Sequence, residues 1–139
     1  MTIKDYESRY YPELIKLLEA EYGSAISQED LEKYYVNDNH EIIIAVDDDD
    51  VLVGCSFIEE RRDFVRTGHD FYITYVAVDK SRRRMGTGRK LFAEIERRAA
   101  ERGCDSIEFT SANHRTDAHA FYASLGYTKK KTTVFIKDI

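Results

Sequence analysis

The stretch from Asp70 to Thr110 constrains the fold more than any other part of the chain. DFYITYVAV, residues 70–78, reads as a strand by its β-branched and aromatic content. Helical periodicity follows over 87–102, with Leu91, Phe92, Ile95 and Ala99 on one face and Gly103 as the stop signal. SIEFT, residues 106–110, reads as another strand. Two strands joined through a helix run parallel, with a right-handed crossover. A sheet that is parallel in this part is therefore expected.

Between the first strand and the helix lies SRRRMGTGRKLF, Ser81 to Phe92, with four arginines and two glycines. Glycine lets backbone turn tightly and approach a ligand without a Cβ in the way. The first amides of the following helix have no internal partner and face outward at the positive end of the dipole, which suits phosphate. Arginines add charge-assisted bonds to the same anion. The loop reads as a pyrophosphate holder. It is no Walker loop, since GxxxxGK[ST] is absent, and no dinucleotide fingerprint, since Leu91 stands where the third glycine would. On its own the pattern also fits a glycine-bearing turn with a solvated arginine cluster.

The rest of the chain supplies the frame. Thr2 to Lys4 reads as a short strand. Pro12 fits the first turn of a helix carrying Leu14, Leu17 and Leu18 and ending near Gly23. Ser27 caps a second short helix, with Asp30 three residues on. Glu41–Val46 and Val51–Glu60 form a hairpin across Asp47 to Asp50, which lack the alternating ligand spacing of an EF-hand loop. A charged loop runs from Arg61 to Gly68. Thr116 to Leu125 is a short helix closed by Gly126, and Thr132–Lys137 a final strand. With the hairpin antiparallel, the expected class is α/β (α+β): a mixed central β-sheet with helices on both faces.

At 139 residues the chain is one domain's worth, and no linker, repeat or low-complexity tract divides residues 1–139. Net charge is −5, but Asp79 to Arg102 holds nine Lys/Arg against four Asp/Glu, a local +5, so the remainder carries −10. An acidic protein with one basic segment suits a small anionic ligand better than nucleic acid. The apolar runs are far too short to span a bilayer. The N-terminal stretch has no apolar core of a signal peptide, so a cytoplasmic protein is expected. Cys55 and Cys104 have no CxxC or Cys/His spacing, so buried thiols are expected and no metal site.

SRRRMGTG matches [Q/R]xxGx[G/A], and YVAVDKSRRRMGTGRKLFAEIERRAAERGCDSIEF resembles without a gap the strand, loop, helix and strand of the GCN5-related N-acetyltransferase (GNAT) family. AHAFYASLGY, Ala118–Tyr127, is similar to the family's closing motif, a helix bearing Tyr and ending in LGY. The element order upstream agrees, so the resemblance covers essentially the whole chain.

The resemblance implies a single GNAT-type domain with a splayed parallel strand pair, into which the pantetheine arm of acetyl-CoA slots. Val76, Ala77 and Val78 would pair with that arm through their backbone, with the amide at Val76 aimed at the thioester carbonyl. Arg83, Arg84, Met85, Gly86, Thr87, Gly88 and Arg89 would wrap the pyrophosphate. Tyr122 matches the general acid that protonates the departing thiolate. No metal and no covalent enzyme intermediate are implied. An amine attacks the acetyl thioester directly, and positioning is the main contribution. The resemblance also allows a homodimer.

Two positions depart from the family. Arg115 stands where many members carry a pantetheine-binding Asn, with Asn113 two residues earlier as the candidate in its place. Tyr72 stands where some members place a general-base Glu. Glu59, Glu60, His69, His119 or a water chain remain as candidate bases.

The expected function is acetyl-CoA-dependent N-acetylation of a primary amine on a small molecule or peptide. The alternative is a non-catalytic acyl-CoA-binding or sensing domain on the same fold. The acidic remainder favours a cationic acceptor, with Arg61, Arg62 and Arg66 as the counterweight that would select an acceptor carboxylate.

Overall fold

The structure is a computed structural model that describes residues 1–65 and 68–139. It divides into two compact units, Met1–Phe109 and Thr110–Ile139, which are described separately. The first holds one five-stranded sheet, ordered as in the sequence. Its strands are β1 (Thr2–Asp5), β2 (His40–Val46), β3 (Leu52–Asp63), β4 (Gly68–Val78) and β5 (Ser106–Glu108). The first four pair antiparallel and β4 pairs parallel with β5, the mixed α+β sheet that the sequence predicts.

The helices of this unit start and stop where local chemistry says they should. In α1 (Tyr11–Tyr22) Pro12 occupies the first turn, and Gly23 closes the helix in the left-handed region at φ 74°. The Ser27 side chain accepts the Asp30 amide at 3.2 Å and caps α2 (Gln28–Tyr35). The aspartate turn is structural: Asp47 Oδ1 accepts the amides of Asp49 (2.9 Å) and Val51 (3.0 Å). α3 (Thr87–Glu101) buries Leu91, Phe92, Ile95 and Ala99, the predicted stripe.

Side-chain alternation divides the sheet. Ile42, Ile44, Cys55 and Phe57 pack with Leu14, Leu18 and Leu31 of α1 and α2. The intervening residues face α3, and Gly54 shows how closely. A Cβ there would lie 3.0 Å from Thr87 Cγ2 and 3.3 Å from Leu91 Cδ1. Helices thus cover both faces.

Two expectations are corrected. The charged loop predicted from Arg61 to Gly68 is ladder at both its ends, because β3 runs on to Asp63 and β4 begins at Gly68, with Arg61 opposite Asp70 and Arg62 opposite His69. Cross-strand pairing overrides a polar composition here; Arg66 lies outside the described residues. The second unit contains α4 (Thr116–Ser124), followed by Gly126 at φ 96°. No strand is seen at 132–137 among the described residues, for within this unit a strand there has no second strand to pair with.

Candidate active site

The parallel pairing of β4 with β5 is short. It covers Asp70–Tyr72 against Ser106–Glu108 and stops there, while β4 continues to Val78. At Phe57/Ile58 the β3–β4 register shifts, with Phe57 opposite Tyr75 and Ile58 opposite Ile73, so Thr74 is an extra residue. Such a bulge bends its strand and strengthens the local twist. The open edge of β4 therefore begins beside a built-in bend.

Backbone direction along that edge follows from parity. Asp79 N–H donates to Val53 O at 2.9 Å, continuing the β3 register. Residues 77 and 75 then face β3, while the N–H and C=O of Val76 and Val78 point away, toward the side where β5 pairing has ended. The Val76 carbonyl bears this out by accepting the Tyr22 hydroxyl at 3.0 Å.

β4 leads directly into the arginine–glycine loop. Asp79 Oδ1 accepts the Ser81 amide (2.8 Å) and hydroxyl (2.7 Å), which lowers the Asp79 pKa and forms a single turn over 80–82. Arg84 has φ 65° and Gly86 φ 81°, both left-handed. Gly86 is the N-cap of α3 and offers no side-chain bond to the first helical amides, which face outward at the positive helix end. A Cβ on Gly86 would meet nothing within 4 Å, so the N-cap itself is uncrowded. Thr87 is buried, with its hydroxyl on Met1 Sδ at 3.4 Å, so it presents only its backbone to a ligand. Met85 is exposed. This cradle fits a pyrophosphate: uncapped amides, no side chain in the way, and cations around it.

The arginines are not equivalent. Arg82 pairs with Asp47 of the hairpin turn at 2.9 Å, and Arg83 pairs with Glu21 at 2.9 Å. Arg84 makes no ion pair among the described residues. The last turn of α1 thus sends Glu21 to the loop and Tyr22 to the open strand, two contacts the sequence analysis missed. They join positions 62 and 54 residues apart, and no local pattern signals them. Tyr22 also packs at a tilt against Tyr75 (5.1 Å between ring centres), which meets Phe57 (5.4 Å) and Tyr35 (6.3 Å). An aromatic wall stands beside the open edge.

The charged groups near β3 and β4 sort onto two faces. Glu60 lies on the α3 side, held by His69 Nε2 at 2.9 Å and Arg102 at 3.1 Å, and the His69 bond above all lowers its pKa. A carboxylate so stabilised in its charged form is a weak base. Glu59 alternates with it on the opposite face. Arg61 is engaged by Asp70 (3.0 and 2.8 Å) and Glu108 (2.9 Å), with its guanidinium 4.6 Å from the Tyr72 ring centre. It ties three strands together where the parallel pairing ends, and its charge is neutralised. Burial pushes the Cys55 thiol up to about 12, which removes it as a nucleophile.

The second unit holds the remaining candidates. Asn113 lies in a turn closed by Arg115 N–H on Ala112 O at 3.1 Å, and Arg115 is the N-cap of α4. Tyr122 sits on α4 beside Phe121, ring centres 5.9 Å apart, and its carbonyl accepts the Tyr127 amide at 3.1 Å. His119 is on the same helix, its amide on Arg115 O at 3.0 Å.

Comparison with known proteins places this geometry. The model of the acetyltransferase (GNAT) family matches residues 5–127. The chain is similar to an aminoglycoside acetyltransferase from an uncultured soil metagenomic sample, solved with sisomicin (22% identity, TM-score 0.85, 99% of this chain and 95% of that one). It is similar to AAC(6')-Iy in complex with the bisubstrate analogue CoA-S-monomethyl-acetylneamine (18%, 0.85, 99% and 97%). It is also similar to a transcriptional regulator from Bacillus halodurans C-125 (21%, 0.87, 99% and 99%). At these identities the likeness is one of fold. The comparison with curated proteins returns no match. The family match spans most of the chain and falls on the open strand, the loop and the closing helix just described, so the chain belongs to the acetyltransferase (GNAT) family.

Proposed function

We propose that the protein is an N-acetyltransferase of one GNAT domain, residues 1–139, that takes acetyl-CoA as donor and a primary amine as acceptor. One observation carries the reading. The part of β4 beyond its β5 pairing, with Val76 and Val78 facing outward, is joined to the uncapped start of α3 by the arginine–glycine loop alone. An extended arm with a pyrophosphate at one end needs that sequence of surfaces. Acetyl-CoA supplies the acetyl group as a thioester.

The chain's own residues orient the reaction. Val76 and Val78 hold the arm by backbone bonds, while Ala77, expected to share that role, turns its N–H and C=O to β3; the Val76 amide donates to the carbonyl oxygen on which charge grows. The amides of residues 85–89 hold the pyrophosphate. Tyr122, assigned by its place in FYASLGY, delivers a proton to the departing thiolate, and Asn113 is the candidate for a polar contact to the arm. The acceptor is a cationic small-molecule or peptide amine. Support comes from Arg61, whose pairing with Asp70 and Glu108 removes it as an acceptor-carboxylate ligand. The two related acetyltransferase structures, one with sisomicin and one with an acetylneamine conjugate of CoA, point to the same class.

The test has two stages. Calorimetry should detect acetyl-CoA binding, and thiol release should then be followed across spermidine, an aminoglycoside, a lysine peptide and free amino acids at pH 7 and 9. Binding without turnover of any amine would favour an acyl-CoA sensor. No binding would reject both.

A further inference from the structure

We infer that Tyr22 is a positioning residue for acetyl transfer, acting through the Val76 carbonyl; this rests on the acetyl-CoA reading above. Val76 sits on the part of β4 that β5 has released, and its carbonyl faces away from β3. Here β4 keeps β3 as a neighbour on one side only, so no strand holds its outward-facing carbonyl, and small rotations of the peptide plane re-aim the groups that a ligand must meet. The Tyr22 hydroxyl donates to that carbonyl at 3.0 Å and holds it from the helix side. Tyr22 itself is well fixed. It occupies the last position of α1, directly before the left-handed Gly23, and its ring packs on Tyr75. Its neighbour Glu21 anchors the same helical turn to Arg83. The end of α1 thus replaces, by one side-chain bond, the restraint that the missing strand would have supplied. A carbonyl oxygen has two lone pairs, so Tyr22 can stay while the arm bonds the same edge. This hydroxyl lies at the thioester end of the proposed site, where only the reacting end of the donor senses it.

The experiment compares wild type, Tyr22→Phe and Tyr11→Phe for binding of acetyl-CoA and of 3′-phospho-ADP. Turnover of whichever amine the panel identifies is measured alongside. Tyr11→Phe removes a comparable hydroxyl-to-carbonyl bond of the same helix, to Ile26 O, without touching Val76 or the aromatic wall, and circular dichroism checks that each variant folds. Tyr22→Phe should weaken acetyl-CoA binding by about three- to tenfold, the range of one net hydrogen bond, and lower kcat by a similar factor. It should leave 3′-phospho-ADP affinity unchanged, and Tyr11→Phe should match wild type in both affinities and in turnover. Unchanged or tighter acetyl-CoA binding in Tyr22→Phe overturns the inference, tighter binding meaning that Tyr22 competes with the arm. Equal weakening of both ligands also overturns it, since that marks general loosening. If wild type itself binds no acetyl-CoA, the acetyl-transfer reading fails first and this inference falls with it.

Discussion

Replacing Gly54 with alanine tests how the sheet sets the phosphate loop. The new Cβ would lie 3.0 Å from Thr87 Cγ2, 3.2 Å from Ala77 O and 3.3 Å from Leu91 Cδ1. The first of these is about 0.4 Å short of ordinary contact distance. Two of the three neighbours belong to the first turns of α3 and the third to β4, so neither side yields without moving the candidate site. Overpacking of this kind costs about 1–3 kcal/mol, offset by roughly 0.5–1 kcal/mol from a stiffer unfolded chain. A net loss of about 1–2 kcal/mol should lower Tm by roughly 3–8 °C in a chain of this size. Acetyl-CoA affinity should fall several-fold, because the helix start is displaced from the strand that carries Val76. Thermal unfolding and calorimetry measure the two effects. Thr87→Ser removes the nearest colliding methyl, so Gly54→Ala with Thr87→Ser should recover part of both losses. An alanine variant with wild-type Tm and wild-type affinity would refute the reasoning.

Three further outcomes are expected. Glu21→Gln releases Arg83 and removes a carboxylate beside the phosphate loop, so acetyl-CoA should bind several-fold tighter at low ionic strength, with the gain fading as salt rises. Weaker binding would mean that Glu21 aims Arg83 instead of competing for it. Tyr122→Phe should lower kcat by about 10²-fold while leaving acetyl-CoA affinity nearly constant; a change confined to KM would remove its role as acid. The Glu60 pKa is lowered by His69 first and Arg102 second, so the stability it contributes is complete above the unfolded Glu pKa of about 4.3 and is lost as pH falls through its lower folded value. Glu60→Gln should therefore flatten the acid limb of a Tm-against-pH curve and leave Tm differences constant above about pH 6; an unchanged acid limb would count against that ion cluster.

What the sequence determined by itself is local. Pro12 and Gly23 bound α1, Ser27 caps α2, the apolar stripe of 87–102 fixes which face of α3 is buried, and a strand–helix–strand order forces β4 and β5 parallel. The loop from Ser81 to Phe92 was legible for the same reason, since glycine conformation and free helix amides depend on the few residues at hand. Tertiary structure decided everything that rests on distant residues meeting. It gave Arg83 to Glu21 and the Val76 carbonyl to Tyr22, and it locked Arg61 between Asp70 and Glu108. It placed the extra residue at Thr74 and put Glu59 and Glu60 on opposite faces. Thr132–Lys137 shows the limit most directly, for β-propensity describes a residue's fit to a ladder and cannot supply the partner strand that a ladder requires. Short-range steric and hydrogen-bonding rules are written in neighbouring residues. The pairing of charges and hydroxyls across tens of positions is chosen only when the sheet and helices close around a common core.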